Sequence, residues 1–345
     1  MGGGGLVSLA FIGASTMFPQ KLWVRVIAVI SAIWGISSLC GPLIGSYFVN
    51  IGNWRGAFWA FALQGLVTIF VAPLLLRRHF HSQTEEILPL PVARLGLLSI
   101  SVLLICQAGV VSSMQFAVGL CATGVVLLLI FFKQDMDSEN CIFPKGILNP
   151  RTISGSGLLM ISSLFMATIS LTVYGPILMY IIFEATPLVA GYIIALESLA
   201  WTLTAVFTSG LRERIEPRLI RMGAVFVSFS VLGLIYAMPS GPLWVIALFS
   251  IIMGMGFGMS WSFVSKRIIV SVPETERTRA SASIPTIMRL AMTLGSALSG
   301  IIANYSGFSE ASSVAVAQNV AFWCFAAFIP LMFVGLITAW RVSMG

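Results

Sequence analysis

Val26 to Val49 reads VIAVISAIWGISSLCGPLIGSYFV, a run of twenty-four residues without one charged side chain. As a helix rising ~1.5 Å per residue it would extend about 36 Å, enough to cross a hydrocarbon layer roughly 30 Å thick. The rest of the chain repeats the pattern. A shorter apolar run ends near Met17, and further spans are expected at 56–76, 95–111, 114–132, 155–182, 187–210, 219–238, 242–264, 280–302 and 316–339, eleven in all. Composition agrees. Apolar residues make up 58% of the 345 and charged residues only 9%, far below the ~25% charged share of a soluble domain. The expected fold is an all-α polytopic membrane bundle with the lipid bilayer as its solvent.

The charges occupy the gaps between spans, and they do so on one side. Lys and Arg concentrate in cytoplasmic loops. One alternate set of loops carries Lys21 and Arg25; Arg77, Arg78 and Arg94; Lys133, Lys145 and Arg151; Arg212, Arg214, Arg218 and Arg221; Lys266, Arg267, Arg277 and Arg279; and Arg341, seventeen of the nineteen basic residues. The opposite loops hold Arg55, and Arg289 falls inside a span. A missed or invented span in mid-chain would scramble this count, so the C-terminus is predicted to be cytoplasmic. The same dispersal argues against nucleic acid as a partner despite a net charge of +7, because no basic face is formed. Cys40, Cys106, Cys121, Cys141 and Cys324 are scattered without paired spacing, and His79 and His81 sit beside arginines in a loop. Neither set suggests a metal site, and no cofactor is expected.

Sliding the sequence on itself by 254 residues brings Pro19 onto Pro273, Arg25 onto Arg279, Gly41 onto Gly295 and Asn50 onto Asn304. Upstream, Gly2, Gly4 and Ser8 fall on Gly256, Gly258 and Ser262. One gapless register thus aligns a loop proline, a loop arginine and helix glycines in spans of the same direction, as parallel repeats do in transporter folds. It also sets Met1 against Met255, midway along a span. The expected organisation is a remnant of an N-terminal six-helix half over 1–80, a region with two extra spans over 81–153, and a complete six-helix half over 154–345.

At this point the sequence resembles the major facilitator superfamily, specifically its fourteen-helix drug:proton antiporter branch, with about eleven helices of the fourteen present and the N-terminal part missing. Gly35-Ile-Ser-Ser-Leu-Cys-Gly41-Pro42-Leu-Ile-Gly45-Ser46 is similar to the antiporter motif of the family's fifth helix, with Ser46 in place of a second glycine. Asn53-Trp54-Arg55 matches the entry to the next helix, and Gly2 to Gly5 resemble the tail of the fourth-helix motif. A degenerate loop motif is visible at Ser209 to Arg218, with Ser209 and Glu216 in place of its glycines. The resemblance implies a multi-pass protein of the bacterial inner membrane that exchanges a small-molecule substrate for protons.

Physics adds its own reading. Proline within a span removes a backbone hydrogen bond, and glycine lets a neighbouring helix approach. Gly35, Gly41, Pro42 and Gly45 therefore mark either tight packing or a bend that seals a cavity. Gly175-Pro176 marks a second helix break. Glu197 and Arg289 are the ionisable side chains that fall deep within spans, where a charge costs a few kcal/mol unless paired or hydrated. They are expected at similar depths, about 20 and 14 Å from the cytoplasmic end. Glu197 is a candidate to bind a proton and a cationic substrate in turn, with Arg289 tuning it; the alternative is a static ion pair between two helices. Trp201, one turn beyond Glu197, is a candidate to stack on a lipophilic cation, as are Trp261 and Trp34. The expected function is proton-coupled export. Metabolite uptake and an inactive fragment remain as alternatives; a membrane enzyme ranks below them because no nucleophile and base pair or HExxH motif lies in a span, and a channel because of the repeated helical halves and the two helix breaks.

Overall fold

A computed structural model of the chain describes residues 2–76, 91–111, 113–308 and 313–344. His79, His81, Arg77 and Arg78, and the expected boundary at 80, lie outside the described residues. Every regular element among those described is helical. An apolar solvent enforces this, since a helix satisfies its backbone hydrogen bonds within one segment. In chain order the helices are α1 (Gly2–Met17), α2 (Trp23–Asn50), α3 (Trp54–Leu76), α4 (Val92–Ala108), α5 (Met114–Met136), α6 (Ile153–Val173) and α7 (Gly175–Phe183). They continue with α8 (Pro187–Ser209), α9 (Glu216–Ser240), α10 (Leu243–Val270), α11 (Arg277–Tyr305), α12 (Val314–Ala326) and α13 (Ile329–Met344).

Nine helical segments among the described residues are long and apolar enough to cross a membrane, and α1 and α4 are shorter apolar helices. These eleven segments lie where the eleven apolar runs were expected, nine of them long enough to cross. Two passes are broken. The span expected at 155–182 divides into α6 and α7 at Tyr174, where Gly175-Pro176 was read as a break. The span expected at 316–339 divides into α12 and α13, a break the sequence reading did not anticipate. Its cause is Pro330, which cannot donate a backbone hydrogen bond to Ala326.

The bundle turns apolar side chains outward. Phe58, Trp59, Phe70, Leu103, Phe116, Phe207 and Trp244 are between 67% and 76% exposed, which fits lipid as the surrounding medium and not water. Inside, α10 is wedged between α8 and α9 by glycines on both of its sides. A side chain at Gly254 would overlap the backbone of Glu197, one at Gly258 would strike Trp201 and Thr204, and one at Gly256 would strike Gly223. Elsewhere α2 packs on α8, α1 on α11, and α6 against α11 and α13, while α4 and α5 pair with each other and meet the bundle through α11.

The 254-residue offset survives in the element boundaries. Short 3-10 turns occupy Gln20–Leu22 and Glu274–Glu276, each preceded by an extended proline, Pro19 or Pro273, and α2 and α11 begin at equivalent residues. The basic loops assigned to one side also meet at one end of the bundle. Arg267 donates to Val342 O, Arg341 donates to Pro150 O (3.3 Å), and Lys266 bridges Glu213 and Glu216 at 2.8 Å each. Asp135 departs from expectation. It falls beyond the span expected at 114–132, yet α5 runs on to Met136 and holds it in the last turn, 1% exposed, where it accepts from Arg94 (2.6 Å) and from the backbone of Ile142 and Phe143. A buried carboxylate needs such partners, and Arg94 in the first turn of α4 supplies the charge.

Candidate substrate cavity

Four helices contribute side chains at helical spacing to one cavity of about 310 Å³. From α2 come Ser31, Trp34, Gly35 and Ser38; from α6, Phe165, Thr168, Ile169 and Thr172; from α8, Ile194, Glu197, Ser198 and Trp201; and from α11, Met288, Arg289 and Met292. On three helices the pattern is i, i+3, i+4, i+7, the stripe that one helix face presents to a common centre. Three lining hydroxyls turn back on their own helices: Ser31 donates to Ile27 O (3.0 Å), Ser38 to Gly35 O (2.9 Å) and Thr168 to Leu164 O (3.0 Å). Their hydrogen atoms are therefore engaged, and the wall they make is only weakly polar.

Gly35 closes the seam between α2 and α8. A Cβ there would overlap the Thr202 side chain, and the Thr202 hydroxyl donates to Ser31 O at 3.1 Å across the same seam. Further along, the Pro42 ring lies 3.4 Å from where a Cβ on Gly191 would stand. Around Gly41 and Gly45, by contrast, a Cβ would meet only open space.

The structure brings Glu197, Arg289 and Trp201 to the same cavity. It does not join Glu197 and Arg289 in an ion pair. The Glu197 carboxylate is half-buried and has neither a hydrogen bond nor an ion pair with any of the described residues. The exposed Arg289 guanidinium lies 5.9 Å from the ring centre of Trp34. Trp201 is 92% buried by its surroundings, being 8% exposed, and stacks on Phe257 at 5.0 Å with 19° between the rings. Phe165 (5.9 Å), Trp261 (5.7 Å) and Trp34 (6.4 Å) surround it. Its indole N–H has no acceptor among the described residues. Trp261 stands behind this wall and does not line the cavity.

Chemically the cavity offers one unpartnered carboxylate and the faces of Trp34, Phe165 and Trp201, while the unengaged indole N–H of Trp201 is buried. A carboxylate takes a proton or a cation, and indole and phenyl faces attract cations while burying apolar surface. Two prolines also bear on the cavity, Pro42 inside the continuous α2 and Pro176 at the break between α6 and α7. Pro42 deprives the carbonyl of Ser38 of its usual donor, and Pro176 does the same for Thr172, and both of those residues line the cavity. Among the described residues no group of three or more His, Cys, Asp or Glu side chains is arranged to hold a metal ion. Phe165 and Thr168 were missed by sequence reading, because an apolar or hydroxyl residue in an apolar span carries no signal until its neighbours are known.

The sequence matches the Major Facilitator Superfamily over residues 1–264 and again over 157–343. A probable multidrug-efflux transporter of Mycobacterium tuberculosis is 26% identical over 355 aligned positions, covering 99% of this chain and 73% of the relative. The riboflavin transporter of Clostridioides difficile is 20% identical over 333, covering 94% of this chain and 71% of the relative. A multidrug efflux pump of Staphylococcus aureus is 24% identical over 316, covering 88% and 66%.

Proposed function

This chain belongs to the major facilitator superfamily, and from that premise we propose that it exports lipophilic cations in exchange for protons, as a member of the fourteen-helix drug:proton antiporter branch. The observation that carries this reading is the unpartnered Glu197 carboxylate set against an aromatic wall in a cavity of about 310 Å³. Substrate and proton compete for that carboxylate. Protonation expels the cation, deprotonation readmits one, and Arg289, free of an ion pair with Glu197, favours the charged state when alternating access brings it nearer. Residues 1–80 and 154–345 act as the two rocking halves and 81–153 as an insertion between them, with the C-terminus in the cytoplasm of a bacterial inner membrane. Two of the relatives described are efflux proteins by name, which supports the direction.

The test is flux through the purified chain in liposomes, with tetraphenylphosphonium as the probe and an imposed pH gradient. Gradient-driven accumulation is expected in the wild type. Glu197→Gln should lose at least about tenfold of it while downhill exchange of the probe persists, since the aromatic wall remains. A variant that still accumulates the probe in a proton-dependent manner removes Glu197 from coupling. A second reading, carriage of a metabolite, is favoured by the riboflavin-transporter relative. Saturable riboflavin flux with no tetraphenylphosphonium flux would select it, and an ohmic current would select a channel.

A further inference from the structure

A second cavity, of about 210 Å³, lies between α5, α6 and α11 and uses different faces of α6 and α11 from the first. Its depth is apolar and buried, formed by Leu128, Phe132, Leu158 and Ile287, and its rim includes Leu148 and Leu159, which are 48% and 37% exposed. The one lining hydroxyl, Ser162, is spent on Leu158 O at 2.8 Å. Nothing inside the slot therefore asks for a polar ligand.

The rim is different in character. Pro150 lines it, Arg151 follows directly, and Arg341 reaches it from α13 by donating to Pro150 O at 3.3 Å. Both arginines are exposed, and neither has an ion pair with any of the described residues. The acidic side chains of the same loop are Asp135, which is buried on Arg94, and the exposed Asp137 and Glu139.

We propose that this slot holds one acyl chain of an anionic phospholipid whose phosphate rests on Arg151 and Arg341. An acyl chain gains little by leaving other lipid tails for an apolar slot, so apolar contact alone selects no lipid. Charge does select. Basic pockets between membrane helices attract anionic headgroups, and a guanidinium offers a planar fork of donors that matches phosphate. The slot fixes where the lipid sits, and the arginines decide which lipid it is.

Native mass spectrometry of the detergent-purified chain, titrated with dioleoylphosphatidylglycerol or dioleoylphosphatidylcholine, tests this directly because the two probes share their acyl chains. One tightly retained phosphatidylglycerol is expected, preferred over phosphatidylcholine. The preference should fall roughly fivefold for each arginine removed in Arg151→Gln and Arg341→Gln. Ser162→Trp, which fills the slot and leaves the charges in place, should abolish retention of phosphatidylglycerol at an unchanged melting temperature. If that variant does not fold, the double arginine variant, altered only at the exposed rim, decides. Equal retention of the two lipids by the wild type overturns the proposal, as does a double variant that keeps its preference. Full displacement of the lipid by glycerol phosphate alone overturns it too, since the slot would then contribute nothing.

Discussion

Gly35 and Thr202 show what one missing methyl group does for the seam between α2 and α8. The glycine removes the atom that would overlap the threonine, and the threonine then bonds to Ser31 O. Gly35→Ala must push the two helices apart or force a strained rotamer, which costs about 1–3 kcal/mol in a packed interior. Thr202→Val keeps the shape and loses only the hydrogen bond, about 0.6 kcal/mol for an average interhelical bond in a membrane protein. Melting in detergent should therefore fall clearly for Gly35→Ala and barely for Thr202→Val. The reverse order would mean that the hydrogen bond, and not the close approach, holds the seam. The sequence made Gly35 conspicuous through its motif, but its partner was invisible, because Thr202 sits in an apolar span with nothing to distinguish it from Thr204 or Thr208. Glu197 and Arg289 stood out for the opposite reason, as charges where charge is expensive. That they share a cavity without pairing was not legible, since depth along a helix says nothing about the direction a side chain takes around it.

At the scale of the element, spans and loops were readable almost throughout because the requirement for ~20 apolar residues leaves little freedom. The breaks were readable only in part. Gly175-Pro176 combines two unfavourable residues and stands out, whereas Pro330 is a lone proline inside the run expected at 316–339, with no glycine beside it, and passed for an ordinary span residue. The break at Tyr174 leaves the Thr172 carbonyl without its helical donor. Pro176→Ala restores an N–H at that position and should straighten the junction of α6 and α7. If the break serves the transport cycle, the variant should melt at a higher temperature and turn over more slowly, measured as tetraphenylphosphonium exchange at saturating substrate. Higher stability with unchanged turnover would reduce the break to a feature of packing.

For the whole molecule, the strongest regularity is the gathering of basic residues at one end, and here sequence and structure meet on independent grounds. The alternation of loops predicted a shared face from counting alone. The contacts of Arg267 with Val342 O, Arg341 with Pro150 O, and Lys266 with Glu213 and Glu216 then tie together loops that are distant in the chain. A shared end does not by itself say which compartment it faces. With seventeen of nineteen basic residues in that set, the lysine and arginine bias predicts that this end faces the cytoplasm. Asn149, in the loop between α5 and α6, belongs to the basic end, and Ser240, at the turn between α9 and α10, belongs to the other; both are exposed. In a background with the five cysteines replaced, Ser240→Cys should react with a membrane-impermeant maleimide on intact cells. Asn149→Cys should react only after the membrane is opened. The opposite pattern would invert the molecule and, with it, the direction of export: the cavity would then have to load its cation from outside, and uptake would replace efflux as the working function.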